Sequence, residues 1–400
     1  MIADRRTKGR LQVLELIRRS GQIARSDIAT EVEASPATVT AATADLLAAG
    51  LIEEIAPVSD APQGKRGRPR VALRIVPNAC KVVGIKVSDR SMSVVIMNLG
   101  GETLSEIEVD LPNSELAPES LVEVIIEAVG SACKPLGLSM SDLSAAGLGL
   151  AGFVDADRGF VHWSPSLNQR NVQLKSLLNA HSPIPFFLDN DANLVAKAEQ
   201  IFGEGQGVSD FVVITIETGI GMGVIIDNAI YRGARGCGAE IGHSKVQLEG
   251  ALCRCGQRGC LEAYVADYAL LREANLRAGP ELSQSPDDAL KELLVKAKAG
   301  DAFSSSIFNR AGRMLAMGLA NVINIFDPKL IILSGERMQF DLLYADEVLD
   351  AVKSWVVSVD APLPEIRIHK WGDLMWAKGA ASYAIEEATR IAVRNIANAA

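Results

Sequence analysis

The stretch GAEIGHSKVQLEGALCRCGQRGCLEAY, Gly238–Tyr264, decides how the rest of the chain is read. It brings His243, Cys253, Cys255 and Cys260 into fewer than twenty residues, with Glu240 and Glu262 at its flanks. Three soft thiolates and one imidazole form a closed set of four, the donor chemistry that holds structural zinc tetrahedrally and leaves no open coordination position. Nine residues separate His243 from Cys253, one separates Cys253 from Cys255, and four separate Cys255 from Cys260. Gly250, Gly256 and Gly259 let the loop fold tightly enough for the four side chains to converge. The competing reading is three core cysteines beside a satisfied histidine. It fits poorly with a glycine-rich loop carrying Arg254 and Arg258, because buried thiols rarely cluster in such a setting.

Beyond this loop, 400 residues with 48% apolar content are enough for more than one core. The net charge of −9 is unevenly spread, with twelve Lys/Arg against nine Asp/Glu in residues 1–80 and 28 against 40 in the remainder. A basic head on an acidic body suggests a polyanion-binding module fused to something else. Cys80, Cys133 and Cys237 are scattered, as suits a reducing cytoplasm. Leu11–Ser20 is amphipathic rather than a signal-peptide apolar segment, and the apolar run at 211–230 is broken by Glu217, Asp227 and glycines. The sequence therefore predicts a cytoplasmic protein without a membrane span.

In the head, residues 1–78, Leu11, Leu14 and Ile17 mark a first helix and Ser26–Val32 a short second one. Ser35 as N-cap with Pro36 at the first helical position starts a third, whose buried stripe is Val39, Ala42, Leu46 and Leu47. Two strands, Leu51–Ile55 and Val71–Ile75, flank a loop ending in GKRGRPR. This is a winged helix-turn-helix pattern, with the second and third helices as the turn motif and the loop as the wing. Lys65, Arg66, Arg68 and Arg70 of the wing suit phosphates or a narrow minor groove. Base reading falls to Ser35, Thr38 and Thr40, with Ala41 against a thymine methyl. Arg5, Arg6, Lys8 and Arg10 add phosphate contacts. The expected partner is a double-stranded DNA operator.

The body, residues 79–400, opens with three strands (Lys81–Val87, Ser93–Asn98, Thr103–Val109), a helix at Pro118–Cys133 and a strand at Ala145–Leu150. Phe211–Ile216, Gly223–Asp227 and Ala229–Tyr231 echo the opening and suggest a repeated α/β unit. GAEIGH followed by CRCGQRGCLE resembles the signature of the ROK family of repressors and sugar kinases, and the resemblance extends over nearly the whole chain. It implies a two-lobed actin-like sugar-kinase body. The first lobe would span about 79–190 plus a C-terminal helix at 378–400, and the second about 191–377 with the zinc loop. The resemblance also implies that Asn190, Glu240, His243 and Glu262 hold sugar hydroxyls and that Asp191 matches the kinases' general base. Read without the family, Asp189–Asn193 is better taken as a helix cap. Two departures from the family's pattern stand out: Ala41 where arginine is frequent, and Asn168-Gln169 where many members carry Gly-Trp.

Phosphoryl transfer needs a positioned, charge-neutralised nucleotide, and three matching loops are altered. Lys86-Val87-Ser88-Asp89-Arg90 replaces an Asp-x-Gly-Gly-Thr turn. Glu217 and Met222 replace glycines of a second loop, and Ser334-Gly335-Glu336 replaces three glycines. The sequence thus predicts a sugar-responsive regulator, a repressor of carbohydrate uptake or catabolism genes that is not an enzyme. It is expected to act as a homodimer or dimer of dimers across two DNA half-sites. The alternative is an ATP-dependent sugar kinase fused to a DNA-binding head.

Overall fold

The computed structural model describes residues 5–55, 71–88, 90–278, 285–335, 341–344, 346–357, 360, 362–370 and 374–399. Compact packing divides the chain into two units, Met1–Asp189 with Trp376–Ala400, and Asn190–Met375.

The head lies in the first unit. Helices α1 (Arg5–Ser20), α2 (Arg25–Glu31) and α3 (Pro36–Ala48) accompany strands β1 (Ile23–Ala24), β2 (Ile52–Ile55) and β3 (Ala72–Ile75). The predicted hairpin is present, and β1, unpredicted, adds a third strand, giving the order β1-β3-β2. Ile17, Ile28, Leu46 and Leu73 meet as its fully buried core. Ser35 caps α3 by accepting the Thr38 N–H at 3.1 Å. Arg10 departs from its expected role. Its guanidinium is buried and paired with Asp45 at 2.6 Å, so it ties α1 to α3 and does not face a phosphate. Counting charges could not reveal a partner 35 residues away.

The rest of the first unit is a sheet of β4 (Lys81–Val87), β5 (Ser91–Asn98), β6 (Thr103–Asp110), β7 (Ala145–Leu150) and β10 (Phe186–Asn190), in the order β10-β7-β4-β5-β6. Helices α4 (Pro118–Cys133) and α5 (Leu174–Ala180) and the hairpin β8–β9 (Phe153–Asp155, Phe160–Trp163) complete it. β4 and β7 run parallel and are almost wholly buried, so both are mostly apolar and do not alternate with polar residues. A Cβ at Gly84 would lie 2.0 Å from Ala377 O, and one at Gly147 2.0 Å from Ala380 O. The closing helix Met375–Ala399 therefore rests its backbone directly on these two strands.

The second unit repeats the plan. Helix α6 (Asp191–Phe202) precedes β11 (Phe211–Ile216), β12 (Ile220–Ile226) and β13 (Ala229–Ile230). Helices α7 (Glu262–Val265), α8 (Asp267–Ala278), α9 (Pro286–Lys298) and α10 (Ala302–Phe326) follow, then β14 (Leu330–Ser334), α11 (Asp346–Lys353) and β15 (Glu365–Ile368). The sheet order β13-β12-β11-β14-β15 matches that of the first unit strand for strand. Each has an antiparallel meander on one side and a parallel strand next to its first strand. Gly318 of α10 admits Leu261 and Gly312 admits Val348, so these glycines serve close packing.

Candidate functional site

The segment after β13 folds back so that Lys245 bridges Cys260 and Leu252 bridges Arg258, both antiparallel. Gly259 adopts φ +77°, and a Cβ there would meet Gln247 O at 1.8 Å; only glycine allows this crossing. The result gathers the four predicted ligands. One donor atom from each of His243, Cys253, Cys255 and Cys260 lies within 4.8 Å of the others. Cys253 Sγ is 3.7 Å from His243 Nδ1, and Cys255 Sγ is 3.8 Å from Cys260 Sγ. Bonds of about 2.0–2.3 Å to a tetrahedral centre require ligand-to-ligand edges of roughly 3.5–3.8 Å, so the donor set fits a metal ion. Cys253 and Cys260 are buried and Cys255 is exposed.

Several further side chains, none singled out by the sequence reading, brace this loop. Tyr268 of α8 donates to Glu262 Oε1 at 3.2 Å and stands 3.6 Å from Cys253 Sγ. Burial, then its bond to Cys253 and the negative charge of Glu262, push its phenol far up, so it remains a donor. Arg272 donates to Leu252 O and Ala263 O, and Ala251 N–H donates to Tyr264 Oη at 2.7 Å. Tyr268 and Arg272 belong to no motif; only the fold places them.

The donor cluster adjoins a group of carboxyls. Glu262, buried at the start of α7, places Oε1 3.5 Å from Cys253 Sγ. His243 N–H donates to Glu240 O at 3.1 Å. The Glu240 carboxyl reaches solvent on one side, while protein crowds it elsewhere. That desolvation, followed by the charges of Asp191 and Glu262, lifts it to about 7. Of the predicted sugar ligands, Glu240 is thus close enough to Asp191 and Glu262 to sense the charge of both. Asn190 is the N-cap of α6, its Oδ1 accepting the Ala192 N–H at 2.9 Å. The helix-cap reading of this motif therefore holds.

The altered phosphate loops take definite forms. Lys86 is buried in β4, with Nζ 5.6 Å from the Trp376 ring centroid. Glu217–Gly219 closes a tight hairpin in which Ile216 pairs with Ile220 and Glu217 N–H donates to Gly219 O at 2.9 Å. Gly221 and Gly223 sit within β12, where a Cβ would strike Ala192 or Ala196 of α6. Ser334 is buried, its Oγ 3.3 Å from Met375 Sδ. Asp89 and Glu336 lie outside the described residues.

On the head, Ser35, Thr38 and Thr40 are exposed at the start of α3. Ser35 Oγ and Thr38 Oγ1 share a 2.8 Å hydrogen bond, and Thr40 Oγ1 donates to Pro36 O. Arg6 and Lys8 are exposed. Lys65, Arg66, Arg68 and Arg70 of the wing lie outside the described residues. Among the described residues no helix is long and apolar enough to cross a membrane.

The profile of the ROK family matches residues 82–387. The chain is 27% identical to the xylose repressor of Caldicellulosiruptor bescii over 350 residues, 86% of each chain. It is 29% identical to the DNA-binding transcriptional dual regulator NagC of Escherichia coli over 347 residues, 86% of this chain and 83% of NagC. Glucokinase of Streptomyces coelicolor is 31% identical over 316 residues, 76% of this chain and 97% of the kinase. Among solved structures, a ROK family transcriptional regulator described as a homologue of the E. coli MLC protein aligns with TM-score 0.80 at 24% identity. It covers 97% of this chain and 99% of its own, a likeness of fold. A ROK glucokinase from Streptomyces griseus, in complex with glucose and AMPPNP, aligns with TM-score 0.63 at 31% identity over 76% of this chain and 99% of its own.

Proposed function

This chain belongs to the ROK family, and on that premise we propose that it is a sugar-responsive DNA-binding transcriptional regulator, a cytoplasmic repressor of carbohydrate uptake or catabolism genes that transfers no phosphate. The observation that carries this reading is coverage. The regulators align over 86% and 97% of the chain, whereas the glucokinases align over 76% and leave a segment of the head's size unmatched.

In this reading residues 1–78 bind operator DNA, through Ser35, Thr38 and Thr40 at base edges and Lys65, Arg66, Arg68 and Arg70 on the backbone. Residues 79–400 bind a sugar or sugar derivative through Asn190, Asp191, Glu240, His243 and Glu262. A zinc ion on His243, Cys253, Cys255 and Cys260 supplies a structural crosslink that fixes Glu262 and His243. A homodimer or dimer of dimers meets two half-sites. The sugar releases DNA only by as much as it prefers the DNA-free state. A mobility shift of the full-length protein, with a duplex enriched from a random library and a panel of monosaccharides and their phosphates, tests the reading. Sugar-dependent release supports it. Failure of every sugar to change binding removes the effector claim, and failure to bind any duplex removes the whole.

The second reading, a sugar kinase with a DNA-binding head, is favoured by Asp191, which stands at the start of α6 where the kinases' base is matched. ADP release with hexoses, pentoses or amino sugars, abolished by Asp191→Asn, decides for it.

A further inference from the structure

Lys245 stands directly across from Cys260 in an antiparallel bridge. Val246 N–H donates to Gly259 O at 2.9 Å on one side of that bridge, and Leu261 N–H donates to Ser244 O at 3.0 Å on the other. The backbone, rather than a loose rotamer, thus carries the lysine to the sulfur. Its Nζ lies 2.9 Å from Cys260 Sγ and 2.6 Å from Gln257 Oε1. The Lys245 residue is exposed, whereas Cys260 has no exposed surface.

Charge balance gives this contact a purpose. Three thiolates and a neutral imidazole around a divalent ion leave one net negative charge, and Glu262 adds another 3.5 Å from Cys253 Sγ. An anionic cluster of this kind loses metal to protons and chelators more readily unless a donor draws charge from its sulfurs. Arg254 does not serve that end: its guanidinium lies over the Tyr268 ring, 4.1 Å from the centroid.

We infer that Lys245 is a positioning residue of the metal centre, donating to the Cys260 thiolate from outside the coordination sphere and so setting how tightly the ion is held, with Gln257 orienting the ammonium. The inference rests on the zinc reading above, and its test separates the two. Zinc content and zinc affinity are measured on the full-length protein by competition with a chromogenic chelator, for wild type, Lys245→Met and Lys245→Arg. Methionine keeps the stem and removes the donor. Lys245→Met is expected to carry one zinc when saturated and to hold it about 10–100-fold more weakly, the usual effect of removing an outer partner of a ligand. Lys245→Arg is expected to stay within about threefold of wild type, since it restores a cationic donor. With cobalt in place of zinc, the thiolate-to-metal absorption band is expected to move in Lys245→Met and return in Lys245→Arg, which a merely structural role would not produce. Wild type without stoichiometric zinc overturns the metal reading and this one with it. Wild type with zinc, and Lys245→Met matching it in competition and in the cobalt band, overturns only the role of Lys245.

Discussion

The two five-stranded sheets share one strand order and differ in what the chain has placed around them. In the first, β4 carries Lys86 buried near Trp376, where the family resemblance leads one to expect a carboxylate for the metal-nucleotide. In the second unit, the start of α6 and the loop after β13 gather Asp191, Glu240 and Glu262, and a metal-type cluster braces the last of them. In the proposed reading, a duplicated scaffold loses the groups that serve a phosphate donor and keeps those that grip a hydroxylated ligand. Binding needs only hydrogen-bonding geometry, whereas phosphoryl transfer needs every part of the donor site at once.

The largest test of this contrast is removal of the brace. Cys253→Ser should lose the metal and destabilise the second unit by about 4 kcal/mol or more. That corresponds to a fall in Tm of roughly 8–16 °C for a unit of its size. Calorimetry should show that transition drop while head and first sheet stay unmoved. A single shared shift would mean that the units do not unfold separately.

Next in size is the ligand set. Glu262→Ala or Asp191→Asn should weaken sugar binding by about 10–150-fold, the worth of a hydrogen bond to a charged group, with sugar-free DNA binding unchanged. Titration calorimetry reads the first effect and a mobility shift the second.

In the first unit the sharpest test is steric. Gly84→Ala should cost about 1–3 kcal/mol, because its Cβ would meet the Ala377 carbonyl at 2.0 Å and a helix backbone cannot step aside. Denaturant melts of Gly84→Ala and of Gly130→Ala, a variant at a helical position with open space around it, separate this crowding from a general effect of replacing glycine.

The smallest effect concerns pH. Glu240 titrates near 7 because protein crowds it and two acids face it. Its folded value lies above the ordinary carboxylate range, so its ionised form is disfavoured in the folded protein, and stability from this group declines as pH rises from about 4.5 through 7. Sugar hydroxyls donating to the carboxylate favour ionisation, so binding should release a proton and strengthen from pH 6 to pH 8 by at most about tenfold per unit. Glu240→Gln should flatten that profile in titrations run at several pH values.

Much of this architecture was legible in the sequence where periodicity and punctuation agree. The helix Pro118–Cys133 and the strands Ala145–Leu150 and Phe211–Ile216 are marked by apolar runs between Pro, Gly or Asp, and they fold with those bounds. The convergence of His243, Cys253, Cys255 and Cys260 was legible because four uncommon donors share one short loop. What escaped is what depends on distant partners. Two-residue β1 has no pattern of its own, and Arg10 reads as a phosphate contact until Asp45 arrives beside it. Gly84 and Gly147 look like breaks in apolar strands until the helix Met375–Ala399, far along the chain, is laid over them. Tyr268 and Lys245 carry no signature; their work appears only once Cys253 and Cys260 are placed.

The central claim is that the ligand grip survives without phosphate chemistry and governs the head. It is tested most directly by taking the sugar that releases the full-length protein from its selected duplex and following ADP production with that sugar, ATP and magnesium. The account predicts release from DNA with no ADP above the protein-free background. Steady ADP production that Asp191→Asn abolishes would contradict it.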